Sequence, residues 1–184
     1  MTARPSNSRR RRSAGFSLFE LLIAGLIFCL GLLALAYAYG QGVAFVMSAS
    51  QETIARQKAR ETMESVVTAM NTQHIDFSAL CNQSQGSGCL FVDGWTPLDQ
   101  AGADGIYGTA DDASAGVQTV VTPGPDGILG TADDVTTPLS EFQRQIQISD
   151  LSSTLRQVQV SVRFITTRNA ARTIQLTTYV SAYH

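Results

Sequence analysis

The sequence predicts an α+β fold: a long N-terminal transmembrane and amphipathic helix packed on a C-terminal antiparallel β-sheet. Three patterns carry that expectation. Residues Leu21 to Val46 contain no Asp, Glu, Lys or Arg, and the run exceeds the roughly 20 apolar residues that span a bilayer. Beyond it, Ala55, Ala59, Met63, Val66, Val67 and Met70 recur at steps of three and four, the spacing of one helix face. The tail then changes period. Phe142, Ile146 and Ile148 alternate with Gln143, Gln145 and Gln147, and Val158, Val160, Val162 and Phe164 alternate with Gln157, Gln159, Ser161 and Arg163. Ile174, Leu176 and Val180 keep the same two-residue period. Such alternation describes an antiparallel sheet with one buried face.

The two helical patterns join without a break. No proline stands between Phe16 and Pro97. Glu52, Arg56, Arg60 and Glu64 lie four apart on the side opposite the apolar stripe, where opposite charges one turn apart attract. One helix from Phe16 to Met70 is predicted, 55 residues long, or about 80 Å at the usual rise per residue. Gly25, Gly31, Gly40 and Gly42 fall inside it, where they permit close helix approach or local melting.

The head of the helix is unusual. Arg4 and Arg9 to Arg12 form a basic tail without an acid, followed by Gly15-Phe16-Ser17-Leu18-Phe19-Glu20. A carboxylate at the start of an apolar span is expensive in hydrocarbon and marks a functional residue by default. The positive-inside bias holds the basic tail in the cytoplasm. A twin-arginine signal, or a secretory signal cut after Ala36-Tyr37-Ala38, would need a shorter apolar region free of charge. The segment resembles the class III leader of type IV pilins and pseudopilins. That resemblance implies cleavage by a prepilin peptidase between Gly15 and Phe16, N-methylation of Phe16, and a role for Glu20 in filament assembly. It also implies the pilin fold, bundling with other pilin subunits through the N-terminal helix, and a single pass through the inner membrane. The N-terminus would be cytoplasmic, and the rest would lie in the periplasm or, after assembly, in a cell-surface pilus. The Gly25 to Ala36 stretch, the Phe142 to Ile146 strand and the Arg-Thr-Ile-Gln-Leu-Thr-Thr strand near the end resemble PilV-type minor pilins. Many pilins carry a proline about where Tyr37 stands here.

Charge narrows the partners. Beyond residue 15 the chain holds eight basic residues and 15 acids, a balance of −7. Nucleic acid as a main ligand would need clustered Lys and Arg, and the only such cluster is in the leader. Cys81 and Cys89 bracket a polar loop in the exported part, where an oxidising periplasm allows them to pair in a disulfide. Cys29, inside the apolar helix, reads as a small buried hydrophobe. No catalytic constellation stands out, so the chain reads as non-enzymatic.

Residues 71 to 140 are rich in Gly, Asp, Thr, Ser and Pro, with short strand candidates at Leu90 to Val92 and Val117 to Val121. They also contain a repeat. Gly102-Ala-Asp-Gly-Ile-Tyr-Gly-Thr-Ala-Asp-Asp112 returns 22 residues later as Gly124-Pro-Asp-Gly-Ile-Leu-Gly-Thr-Ala-Asp-Asp134, with nine of eleven positions identical. Hard oxygen ligands on tight turns suit Ca²⁺. Asp104, Asp111 and Asp112, with Asp126, Asp133 and Asp134, are therefore candidate calcium ligands in one site or two. The competing reading is a pair of solvated acidic turns.

The chain thus divides into a leader (1–15), a transmembrane and assembly helix (16–46), an amphipathic helix (47–70) and a periplasmic or extracellular β domain (71–184). The repeat loops lie at 102–112 and 124–134. Two functions fit this plan. One is a minor type IV pilin that primes or decorates a pilus for adhesion, motility or DNA uptake. The alternative is a minor pseudopilin of a type II secretion system.

Overall fold

The computed structural model describes residues 17–166 and 170–183. The expected cleavage pair, Gly15 and Phe16, lies outside the described residues, as does His184. The chain divides into two compact units, one ending at Val43 and the other beginning at Ala44. A single helix, α1 (Leu18–Asn71), contributes to both.

In the first unit every described residue is exposed. Leucine, isoleucine and phenylalanine face outward on all sides of the helix, the pattern of a segment whose surroundings are themselves apolar. This is a helix long and apolar enough to cross a membrane, with a mean hydropathy of 2.6 over its most apolar window. Cys29, expected to be buried, is exposed on it, because a lone helix has no interior in which to hide a side chain. The four glycines are accommodated inside α1, and a Cβ added to any of them would meet nothing within 4 Å.

In the second unit the amphipathic half of α1 packs on an antiparallel sheet. Its buried residues are Ala55, Ala59, Thr62, Val66, Ala69 and Met70. Met63 and Val67, expected on this face, are only partly buried at its margins. Small residues take the centre because they let the helix approach the sheet closely. Thr62 is tolerated there because its hydroxyl donates to the Lys58 carbonyl, 2.9 Å away. On the outer side Arg56 pairs with Glu52 at 2.6 Å, whereas Arg60 and Glu64 form no ion pair among the described residues.

Four strands form the sheet in the order β1-β4-β5-β6, all antiparallel: β1 (Thr96–Pro97), β4 (Phe142–Ser152), β5 (Leu155–Ile165) and β6 (Ala171–Ser181). The expected alternation holds. Phe142, Ile146 and Ile148 of β4 and Val158, Val160, Val162 and Phe164 of β5 enter the core with Phe91, Leu98 and the helix. A separate two-stranded ribbon pairs β2 (Thr119–Thr122) with β3 (Val135–Pro138). β3 was not expected, and the Leu90 to Val92 candidate makes only an isolated bridge, Phe91 to Asn82. Those residues are held by scattered backbone bonds instead of a ladder: the Leu90, Phe91 and Val92 N–H groups donate to the carbonyls of Ala79, Cys81 and Gly108 at 3.2, 3.1 and 2.9 Å. Asn82 donates to the Ile146 carbonyl at 2.9 Å and accepts from the Ile148 N–H at 2.8 Å, covering part of β4 that β1 is too short to reach. The Cys81–Cys89 disulfide closes this loop, and Arg156 braces its base through the Leu80 carbonyl at 2.8 Å.

Candidate functional site

The two repeat segments fold alike. In each, the first aspartate accepts from the N–H two residues on: Ile106 to Asp104 and Ile128 to Asp126, both 2.8 Å. The second accepts a threonine hydroxyl at 2.6 Å, Thr109 to Asp111 and Thr131 to Asp133. The third accepts a glycine N–H at 2.6 Å, Gly108 to Asp112 and Gly130 to Asp134. Backbone angles match as well. Gly105 and Gly127 have φ of 70° and 71°, and Gly108 and Gly130 have 90° and 91°, a region that favours glycine. At Gly102 and Gly124 an added Cβ would lie 2.2 Å from the Asp111 and Asp133 carboxylates. The repeat is therefore a self-bonded turn, and its acids satisfy backbone donors that a loop would otherwise leave unpaired.

These bonds move the carboxyls. Asp111 and Asp133 are held below the ordinary aspartate range, first by their threonine hydroxyls and then, against some burial, by backbone N–H groups. Each favours the folded state above the usual carboxylate range and loses that contribution as pH falls through its lowered value.

Position separates the copies. The first repeat runs from β1 toward β2 and ends in the short helix α2 (Asp112–Ala115). It presses into the core, and Ile106 is 2% exposed. Gly108 leaves no room for a side chain, since a Cβ there would stand 2.3 Å from Ile146. Beneath it lies Arg144 of β4, 1% exposed. Its Nη2 meets Asp112 at 2.8 Å, and its guanidinium lies 4.9 Å from the centre of the Tyr107 ring. Burial pushes the Asp112 carboxyl up, against the pull of the Gly108 and Gly102 N–H groups and Arg144. Burial likewise lowers Arg144, against the charge of Asp112. Two guanidinium nitrogens, Nε and Nη1, have no hydrogen-bond partner among the described residues. This pair was missed in the sequence, though a signal was there: Arg144 falls in phase with Phe142 and Ile146, at an inward position of the strand.

The second repeat connects β2 to β3 at the tip of the ribbon. Asp126 and Asp133 are exposed and Asp134 is half-buried. The six candidate ligands are thus not gathered together. Asp104, Asp111 and Asp112 offer oxygens within 4.8 Å of one another, and among the described residues the second trio forms no comparable group. Glu20 stands in the first turn of α1, exposed. No family model, curated protein or solved structure matches this chain.

Proposed function

We propose that the chain is a minor type IV pilin, a structural subunit that primes or decorates a pilus. The observation that carries this reading is the Gly15 to Glu20 segment at the head of a charge-free helix. Two features support it. The same helix continues into a half that packs on an antiparallel sheet. The apolar half has exposed side chains all round and glycines with nothing against them, surfaces suited to lipid and to neighbouring helices. Mass spectrometry of the mature protein is expected to show a chain starting at N-methylated Phe16. A chain starting at Met1 or Tyr39 would sink the prepilin reading. Deletion of the gene should abolish or reduce piliation; loss of protein secretion with intact pili would assign the chain to a type II secretion machine.

The first acidic loop is the cation site in this reading. Asp104 and Asp111 are half-buried and reachable, whereas Asp112 is buried against Arg144. Three carboxylates and one guanidinium leave a local charge of about −2, which a divalent cation balances. Calcium at a hundredfold excess over its dissociation constant would stabilise the full chain by about 2.7 kcal/mol. The check is a melting curve in detergent with calcium, with magnesium and with chelator. Asp104→Asn keeps an acceptor for the Ile106 N–H yet removes a charge, and should cancel most of the calcium gain. Equal stabilisation by magnesium would reduce the effect to charge screening.

A further inference from the structure

The two repeats supply a comparison within one molecule. They share backbone angles and most hydrogen bonds, except that the bond from the Gly102 N–H to Asp112 Oδ1 in the first has no counterpart among the described residues of the second, so the surface each presents is similar in shape. The first is covered: Ile106 is buried, Tyr107 lies by a guanidinium, Gly108 touches Ile146, and Asp112 holds Arg144. The second presents the same groups to solvent. Ile128 is 60% exposed and Leu129, in the place of Tyr107, is 61% exposed. A Cβ added at Gly130 would meet nothing within 4 Å, although this glycine shares the angle of Gly108. Asp134 accepts the Gly130 N–H through Oδ2, while its Oδ1, whose counterpart on Asp112 takes the Gly102 N–H, is shielded from solvent and has no hydrogen-bond partner among the described residues. Val121 and Val135, on opposite faces of the strands below, are also exposed. A two-stranded ribbon with apolar side chains in water is marginal alone, and grouped exposed apolar residues mark interaction surfaces.

We propose that the second repeat is a docking loop for a different protein that presents an arginine flanked by apolar side chains. The occupant is read from the first repeat, where Arg144 and Ile146 of one strand cover the same motif. Charge agrees, because Asp126, Asp133 and Asp134 fall within nine residues and no basic residue lies between Gly116 and Glu141. The partner's guanidinium would bond Asp134 at Oδ2, the oxygen that Arg144 meets on Asp112, and its apolar neighbours would cover Ile128 and Leu129.

The test uses the full chain in its native cell, with a photoreactive phenylalanine analogue at Leu129. Cross-linked peptides are sequenced. The expected product joins this loop to a segment of another protein with an arginine within a few residues. Asp134→Asn, which keeps an acceptor for the Gly130 N–H, should lower its yield about tenfold or more. Asp134→Arg combined with the partner's arginine changed to aspartate should restore it. The proposal is overturned by the absence of a cross-link, by yields indifferent to Asp134→Asn, by partner segments lacking arginine, or by cross-links to a second copy of this chain. A second arm separates metal from protein: amide exchange of residues 126–134 in the purified full chain. Protection by calcium alone would overturn the arginine reading, and exchange unchanged by calcium supports it.

Discussion

Arg144→Met is expected to destabilise the second unit by about 3–5 kcal/mol, because removing one partner of a buried ion pair leaves the other charge uncompensated. Asp112 would be that charge. It is buried, already pushed toward its neutral form, and tied to β4 by Arg144 and to its own loop by the Gly102 and Gly108 N–H groups. Methionine fills similar space, so lost packing contributes little. The change also empties the position under Tyr107 of its cation. Urea unfolding of the full chain in detergent measures the effect through the transition midpoint. Adding Asp112→Asn gives the decisive comparison. If the single mutant suffers from a stranded carboxylate, the double mutant should be less damaged than the two changes summed, by about 1–3 kcal/mol. The pair itself need not be strongly stabilising, since two of the guanidinium nitrogens have no partner among the described residues and desolvation offsets much of the attraction. A single mutant within about 0.5 kcal/mol of wild type would behave like an ordinary surface change, and would deny Arg144 its role as the anchor of the first loop.

That anchor shows where sequence reading succeeds and where it stops. The helix was legible because its apolar residues have nowhere to go except lipid, another helix or a sheet. The strands β4, β5 and β6 were legible because a two-residue period admits one buried face. Thr62 and Ala69 were not assigned to the helix face, since propensity and polarity say little about which small residue lies nearest a sheet. β3 escaped notice because Val135 to Pro138 is exposed throughout and so carries no alternation. The disulfide was legible from two cysteines bracketing a short polar loop. The repeats were visible as a repeat, yet eleven nearly identical residues cannot say which copy is covered. That depends on Arg144, ten residues beyond the end of the second copy. It is brought beneath the first by the pairing of Thr96 in β1 with Arg144 in β4.

Glu20→Ala is expected to leave membrane insertion and leader removal intact while lowering incorporation into filaments about tenfold or more. Two local explanations for this glutamate can be weighed by size. It lies in the first turn of α1, where a carboxylate interacts favourably with the helix dipole by about 0.3–1 kcal/mol. Placing an acid in an apolar span costs more, about 2.5–3.5 kcal/mol near its centre on insertion scales. The dipole alone therefore does not explain a charge at the head of an uncharged run from Leu21 to Val46. Under the proposed pilin reading, compensation would come from another chain: the N-terminal amine that cleavage would create on a neighbouring subunit. Insertion should survive, because removing a charge makes the span easier to place in lipid. Assembly should fail, because the neighbour's amine would be left in an apolar bundle without a counter-charge. Glu20→Gln separates charge from shape. It keeps the length and hydrogen-bonding capacity of the side chain, and is expected to fail nearly as badly as alanine. Measured on sheared filaments and membrane fractions from the same cells, wild-type incorporation of either variant would remove the electrostatic account of Glu20.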